Sequence, residues 1–137
     1  MSEVTIWYEG NLSTRAVDSA TQSELITDAP KDNHGLGRTF SPTDLLAVAL
    51  GSCALTLMGI AANKLKIELG KSRVVVTKKM ATTPPRRIAV LHAEFFCPED
   101  FPDDIKETLV KAVETCPVHL SLHPEVAQEF VYHWGQP

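Results

Sequence analysis

The chain has 137 residues, 44% of them hydrophobic and 22% charged, which is the length and ordinary composition of one globular domain. Its formal net charge of −4 and pI near 5.7 argue against nucleic acid or an anionic membrane surface as a partner. Residues 1–20 lack a basic start followed by an apolar run, and three cysteines are an odd number for a secreted disulfide framework. We therefore expect a cytoplasmic protein.

Six segments rich in β-branched and aromatic residues are predicted to be strands, at residues 4–8, 12–17, 23–27, 72–81, 87–96 and 126–134. The first three form a meander, and the fourth and fifth form a hairpin around a Pro-Pro turn. Helical patterns occur at residues 41–67, between the third and fourth strands, and at residues 103–115 and 118–122, between the fifth and sixth. This order of elements predicts an α+β fold with antiparallel sheets, in a single domain over residues 1–137.

The long helix at residues 41–67 is the element around which the other segments are arranged. Ser41 is a good N-cap, Pro42 suits the first helical position, and Asp44 completes a variant of the capping box. No charged residue occurs from position 45 to position 62, so the helix is predicted to be buried on most faces. We interpret it as a core helix rather than a membrane span, since small and polar residues dilute it and it stands alone in mid-chain.

The strands of one small chain cannot cover all faces of such a helix. We therefore predict an intimate homodimer, in which a second copy supplies the other wall.

Two cysteines lie at positions where thiol chemistry is possible. Cys53, in the middle of the long helix, is either a small core hydrophobe or a reactive thiol. Cys116 precedes Pro117, which places it at the N-cap of the next helix, where N–H groups favour a thiolate. Cys97, beside a proline at a strand end, is predicted to be a structural or idle thiol.

The spacing of Cys116, His119 and His123, C-x2-H-x3-H, would suit metal ligands on one helical face. A fourth ligand is not evident and Pro124 ends the helix, so we predict no metal site.

The two cysteine motifs together resemble the OsmC/Ohr family. The motifs are S-P-x-D-L-L-x-x-A-L-G-S-C, which ends at Cys53, and E-T-C-P-V-H, which contains Cys116; the segment KMATTPPRRI at residues 79–88 fits as well. The resemblance covers essentially the whole chain and implies an α+β domain in an interlocked homodimer. At the start of the long helix, Thr43 stands where typical hydroperoxide reductases of the family have Glu, and Asp44 is the nearest carboxylate. The chain is therefore more similar to a different branch of the family.

The function implied by this resemblance is the thiol-dependent, peroxiredoxin-like reduction of organic hydroperoxides in the oxidative stress response, without a cofactor. In this scheme Cys53 attacks the peroxide, Cys116 resolves the resulting sulfenic acid as a disulfide, and an external dithiol reductant resets the pair. The family's arginine comes from the first hairpin, where Arg15 is the best match; Arg38, Arg86 and Arg87 are alternatives. The candidate substrate-binding residues are Thr43, Asp44, Leu50 and Leu57.

Two other functions remain open from the sequence. The first is a binding module, in which an apolar cleft of the dimer holds a lipid-like ligand and the cysteines do not turn over peroxide. The second is a stress-response dimer with a structural role.

Overall fold

The computed structural model describes Met1–Pro137, and the chain divides into two compact units, Met1–Leu46 and Ala47–Pro137. The first unit contains three strands: β1 (Val4–Gly10), β2 (Ser13–Asp18) and β3 (Glu24–Asp28). They form an antiparallel sheet in the order β1-β2-β3, which is the predicted meander. The β1–β2 hairpin closes through consecutive positive φ angles at Gly10, Asn11 and Leu12, the left-handed conformation that tight hairpins require.

A loop with a short 3-10 turn at Lys31–Asn33 follows β3. Its anchor is Asp28, whose side chain is fully buried. The backbone N–H and Nε of Arg38 each donate to Asp28 Oδ2 at 2.8 Å, and Arg38 Nη2 donates to Oδ1 at 3.0 Å. This charge-assisted fork fixes the end of the loop just before the long helix begins.

The long helix, α1 (Pro42–Leu65), begins with the predicted capping box. The Asp44 N–H donates to Ser41 Oγ at 3.1 Å, and the Ser41 N–H donates to Asp44 Oδ2 at 2.9 Å. The shorter Asp side chain therefore replaces the usual Glu, and both backbone donors are satisfied.

The second unit begins within α1 and adds three strands and two helices: β4 (Arg73–Met80), β5 (Ile88–Cys97), α2 (Asp103–Glu114), α3 (Pro117–Ser121) and β6 (Ala127–Trp134). The sheet order is β4-β5-β6, and β4 pairs with β5 as the predicted antiparallel hairpin. The pairing of β5 with β6 is parallel, so the expectation of purely antiparallel sheets is wrong for this pair. The reason is that α2 and α3 form a crossover connection. This connection returns the chain to the end of the sheet at which β5 begins, so β6 runs in the same direction as β5.

The core of this unit lies between the sheet and one face of α1. Ala54, Met58 and Ala62 of the helix pack with Phe95 of β5 and Leu109 of α2, all 0–2% exposed. The α+β fold class, with two three-stranded sheets and a long helix, is confirmed.

The prediction that α1 is buried on most faces is not met within a single chain. The buried residues, Leu50, Gly51, Ala54, Met58 and Ala62, recur every one to four positions and form one stripe. Outside the stripe, Leu46, Val48 and Ile60 are 41%, 44% and 46% exposed. A single layer of strands covers only one side of a helix, so the other apolar side remains uncovered here.

By length and composition alone, α1 could also cross a membrane. Its most apolar 18-residue window has a mean hydropathy of 2.2, and 33% of that window is buried. Core helices of soluble proteins have the same length and composition, so this finding leaves the predicted core role of α1 in place.

Candidate functional site

Cys53 lies on α1, and the helix at this point runs close to β4. The close approach depends on Gly51, because a Cβ there would lie only 3.0 Å from Val74 Cγ1 and 3.1 Å from Val76 Cγ2. Cys53 itself is partly exposed, so the thiol in the middle of the predicted core helix is accessible.

Cys116 is the N-cap of α3, as its position before Pro117 predicts. Its side chain accepts a hydrogen bond from the backbone N–H of His119, with an N···Sγ distance of 3.4 Å. The residue is fully buried, with 0% of its surface exposed. The sulfur therefore lies at a helix N-terminus, away from water.

The tertiary structure brings these two cysteines together. The side chains of Cys53 and Cys116 are neighbours although 63 positions separate them in the chain (116 − 53). Burial, and then the contact with Cys53, raise the pKa of the Cys116 thiol, while the N–H groups of His119 and Val118 act in the opposite direction.

Burial distinguishes the two sulfurs. Cys53 is reachable from solvent, whereas Cys116 is covered, so a dissolved reactant meets Cys53 first. The arrangement can form a disulfide only after Cys53 has been oxidised by such a reactant or by thiol exchange.

Gln128 on β6 is a residue of this site that the sequence analysis missed. Its Nε2 donates to the backbone carbonyl of His119 at 3.1 Å, and its Oε1 accepts from the ring Nδ1 of His119 at 2.6 Å. These two bonds fix α3 to the sheet and hold its first turn, which Cys116 caps. No motif marks Gln128, since a polar residue in a strand is ordinary; only the pairing of β6 with β5 places it here.

The histidines of the C-x2-H-x3-H spacing have other partners. His119 Nδ1 is bonded to Gln128, and His123 Nδ1 accepts the backbone N–H of Glu125 at 3.1 Å. Among all 137 residues, no group of three His, Cys, Asp or Glu side chains is arranged to hold a metal ion.

Arg15, the predicted cation, lies on β2 in the first unit. Its Nε donates to Glu9 at 2.9 Å and its Nη1 to Glu24 at 3.1 Å, while the guanidinium lies 4.4 Å from the ring centroid of Trp7. The Glu9 hydrogen bond is the main cause of a raised pKa for Arg15, which keeps it charged. Its predicted role beside Cys53 stays a prediction.

The alternative arginines have different surroundings. Arg38 is bonded to the buried Asp28, and Arg87 donates to the backbone carbonyls of Ile88 and Glu125 at 3.2 and 3.5 Å. Arg86 lies exposed in the turn between β4 and β5.

The candidate substrate-binding residues fall into two groups. Asp44 belongs to the capping box of α1, and Thr43 lies beside it, with its Oγ1 3.1 Å from Ser41 Oγ. Leu50 is fully buried against Ile88 and Leu91, and Leu57 lines an open groove of about 300 Å³ beside α2. The structure therefore gives Leu50 a core role, and the predicted contacts of all four residues with substrate stay predictions.

Cys97 ends β5 in the core and is 1% exposed. Burial raises the pKa of its thiol, against a weaker opposing effect of the Ser72 hydroxyl. A covered, protonated thiol is unreactive, in keeping with the structural role predicted for this residue.

Comparison with known proteins identifies the family. A model of OsmC-like proteins matches residues 34–130. The chain belongs to the OsmC-like protein family. A structure from Psychrobacter arcticus 273-4 is 39% identical to this OsmC-like protein, with a TM-score of 0.92 over 97% of this chain and 96% of that one. Its name assigns it to osmotic stress induction and the detoxification response.

Two further structures share the fold of this OsmC-like protein at low identity. An organic hydroperoxide resistance protein OsmC from Legionella pneumophila is 16% identical, with a TM-score of 0.77 over 96% of each chain. A structure from Vibrio cholerae, named for organic hydroperoxide resistance and holding captopril in one of its active sites, is 16% identical, with a TM-score of 0.75 over 96% of this chain and 90% of that one. No curated protein sequence matches the chain.

Proposed function

We propose that this OsmC-like protein is a cytoplasmic thiol peroxidase that reduces organic hydroperoxides, alkyl or fatty acyl, in defence against oxidative stress. The observation that carries the proposal is the contact between the side chains of Cys53 and Cys116. The names of the Legionella and Vibrio structures, which concern organic hydroperoxide resistance, support the same reaction class.

The proposed cycle follows from the different accessibility of the two thiols. The Cys53 thiolate attacks the terminal peroxide oxygen, and the O–O bond breaks to give a Cys53 sulfenic acid and an alkoxide, which takes up a proton to become the alcohol. The Cys116 thiolate then attacks the Cys53 sulfur and displaces hydroxide, which leaves a disulfide. An external dithiol reduces this disulfide by thiol exchange, and no cofactor is needed.

An open groove beside α1 supports an organic rather than an inorganic peroxide. It encloses about 340 Å³ and is lined mainly by aliphatic side chains, among them Val48, Leu55, Val74 and Val76. Ser52, which precedes Cys53 in the chain, is also part of its lining. Burial of an alkyl chain against these side chains contributes binding free energy that hydrogen peroxide cannot gain.

A homodimer is part of the proposal. The apolar residues left exposed on α1, namely Leu46, Val48 and Ile60, form the kind of surface that a second copy would cover. Sedimentation over a wide concentration range is expected to show a dimer that does not dissociate without unfolding. A stable, soluble monomer would contradict this part of the proposal.

Peroxide consumption tests the catalytic assignment. Wild-type protein, Cys53→Ser and the matched control Cys97→Ser are mixed with cumene hydroperoxide and dithiothreitol. We expect turnover by the wild type and the control, and none by Cys53→Ser, because a hydroxyl is a far weaker nucleophile than a thiolate. Equal rates for wild type and Cys53→Ser would overturn the proposal.

Alkylation of Cys53 tests the proposed cation. A guanidinium beside Cys53 would favour its thiolate, because a guanidinium stays charged even when it is partly buried. The substitution Arg15→Met removes this charge and is therefore expected to shift the pH profile of Cys53 alkylation by iodoacetamide to higher pH. A profile identical to that of the wild type would transfer the role to Arg38, Arg86 or Arg87.

A second candidate, a binding module for a lipid-like ligand, is favoured by the same aliphatic groove. It predicts that fluorescent fatty acids bind equally to the wild type and to the Cys53→Ser, Cys116→Ser double variant, and that hydroperoxide is not consumed. Turnover that depends on Cys53 would rule it out as the main function.

A further inference from the structure

The proposed reaction has a proton requirement at its first step. When a thiolate attacks the terminal oxygen of an alkyl hydroperoxide, the O–O bond breaks and the oxygen bonded to the alkyl group leaves as an alkoxide, a much stronger base than the attacking thiolate. Such a leaving group departs readily only if an acid delivers a proton as the bond breaks. The acid must lie beside the attacking sulfur and must still hold its proton at neutral pH.

The Cys116 S–H group meets both requirements. Its side chain is a neighbour of the Cys53 side chain and is fully buried, so bulk water does not compete at this position. Burial and the neighbouring Cys53 raise the pKa of Cys116, which keeps the proton in place while Cys53 is the thiolate. The other buried thiol, Cys97, packs among core residues such as Phe95 and Leu109, and its side-chain partner is the Ser72 hydroxyl.

We infer that Cys116 is the general acid of the first step as well as the resolving nucleophile of the second. This inference rests on the proposed peroxidase function. In the first step, the Cys53 thiolate forms an S–O bond to the peroxide, the O–O bond breaks, and the Cys116 proton passes to the departing oxygen. The products are a Cys53 sulfenic acid, an alcohol and a Cys116 thiolate.

In the second step, the new Cys116 thiolate attacks the Cys53 sulfur and the S–O bond breaks. The products are a disulfide and hydroxide, so one hydroperoxide is reduced by two electrons and two cysteines are oxidised. Protonation of the leaving group therefore creates the nucleophile that the second step needs, and no separate base is required.

The N-cap position explains how the same thiol can serve both steps. Before reaction, the negative charge on Cys53 opposes ionisation of Cys116. Once Cys53 is a neutral sulfenic acid, that repulsion is gone, whereas the His119 N–H, 3.4 Å from Cys116 Sγ, still stabilises a negative sulfur. Gln128 holds this turn through its bond to the His119 carbonyl.

Two peroxides with different leaving groups test the inference. tert-Butyl hydroperoxide releases an alkoxide that needs a proton, while peracetic acid releases acetate, which does not. Single-turnover loss of the Cys53 thiol is followed by rapid quenching and trapping of the sulfenic acid with dimedone, in wild type, Cys116→Ala and Cys116→Ser. The readout is the ratio of the two rate constants, because a change in Cys53 ionisation affects both peroxides equally.

General acids typically contribute about 10²–10⁴-fold, so Cys116→Ala is expected to lower the ratio of the tert-butyl to the peracetic rate constant by about 100-fold or more. Cys116→Ser retains an O–H donor of similar size and should lose less. The matched control Cys97→Ala should leave the ratio unchanged, and circular dichroism checks that each variant is folded.

The outcomes separate this inference from the proposed function. A ratio that is the same in wild type, Cys116→Ala and Cys116→Ser, whether or not both rates fall, would overturn the role of Cys116 as an acid. A wild-type Cys53 that is oxidised by neither peroxide would instead overturn the peroxidase function itself.

Discussion

Gly51 is the position where α1 passes closest to β4, and replacing it with alanine probes that approach. The new methyl carbon would lie 3.0 Å from Val74 Cγ1 and 3.1 Å from Val76 Cγ2, whereas carbon atoms pack without strain at about 3.5–4.0 Å. Overpacking of this kind costs about 1–3 kcal/mol, and alanine recovers about 1 kcal/mol of helix propensity. We therefore expect Gly51→Ala to lower the free energy of unfolding by about 1 kcal/mol.

Gly59 provides a matched control on the same helix. No atom lies within 4 Å of a Cβ at this position, so alanine there should raise the free energy of unfolding by about 0.5–1 kcal/mol through propensity alone. Urea unfolding followed by circular dichroism, at one protein concentration, measures both variants. Gly51→Ala at least as stable as Gly59→Ala would refute the close approach, whereas a destabilised Gly59→Ala would show that a second chain packs on that face.

Three further variants test the core and the charged groups. Met58→Ala empties a fully buried site and should lower the free energy of unfolding by about 2–5 kcal/mol in urea; a loss below 1 kcal/mol would contradict its burial. The Arg38 hydrogen bonds lower the pKa of Asp28 below its unfolded value of 3.8, so its contribution to stability is present above that pH and is lost as pH falls further. Asp28→Asn should therefore flatten the acid side of the pH–stability curve, and an unchanged slope would count against the pair. Hydrogen bonds to Glu129, and then to Glu94, raise the pKa of His92 above 6.5, so its contribution is full below pH 6.5 and is lost as pH rises through the folded-state pKa. His92→Gln should destabilise more at pH 6 than at pH 9 in thermal unfolding, and equal losses would contradict this.

Local features of the fold were predictable from the sequence because they depend on neighbouring residues. The capping box of Ser41 and Asp44, the helix break at Cys116-Pro117 and the order of strands and helices all appear as the residue pattern predicts. These features follow from backbone geometry and hydrogen bonding within a few positions, which any single sequence displays. The two cysteine motifs also carried the family resemblance, and the match over residues 34–130 confirms it.

The direction of β6 and the partial burial of α1 were decided by the tertiary structure. Nothing within residues 126–134 tells whether that strand runs with or against β5; the α2–α3 crossover determines it. The apolar pattern of α1 gives the number of apolar faces but not which of them the chain itself covers, because coverage depends on where the sheet packs.

The site was also decided by the tertiary structure. The residues by themselves left Cys53 either as a core residue or as a reactive thiol and gave Cys116 a capping position, and only the family resemblance predicted that the two act as a pair. Packing of α1 and α3 in the second unit brings the two side chains into contact and leaves Cys53 accessible while Cys116 is covered. Contact and accessibility depend on residues far apart in the chain, so no local pattern specifies them; they arise only when the apolar stripe of α1 packs against the sheet.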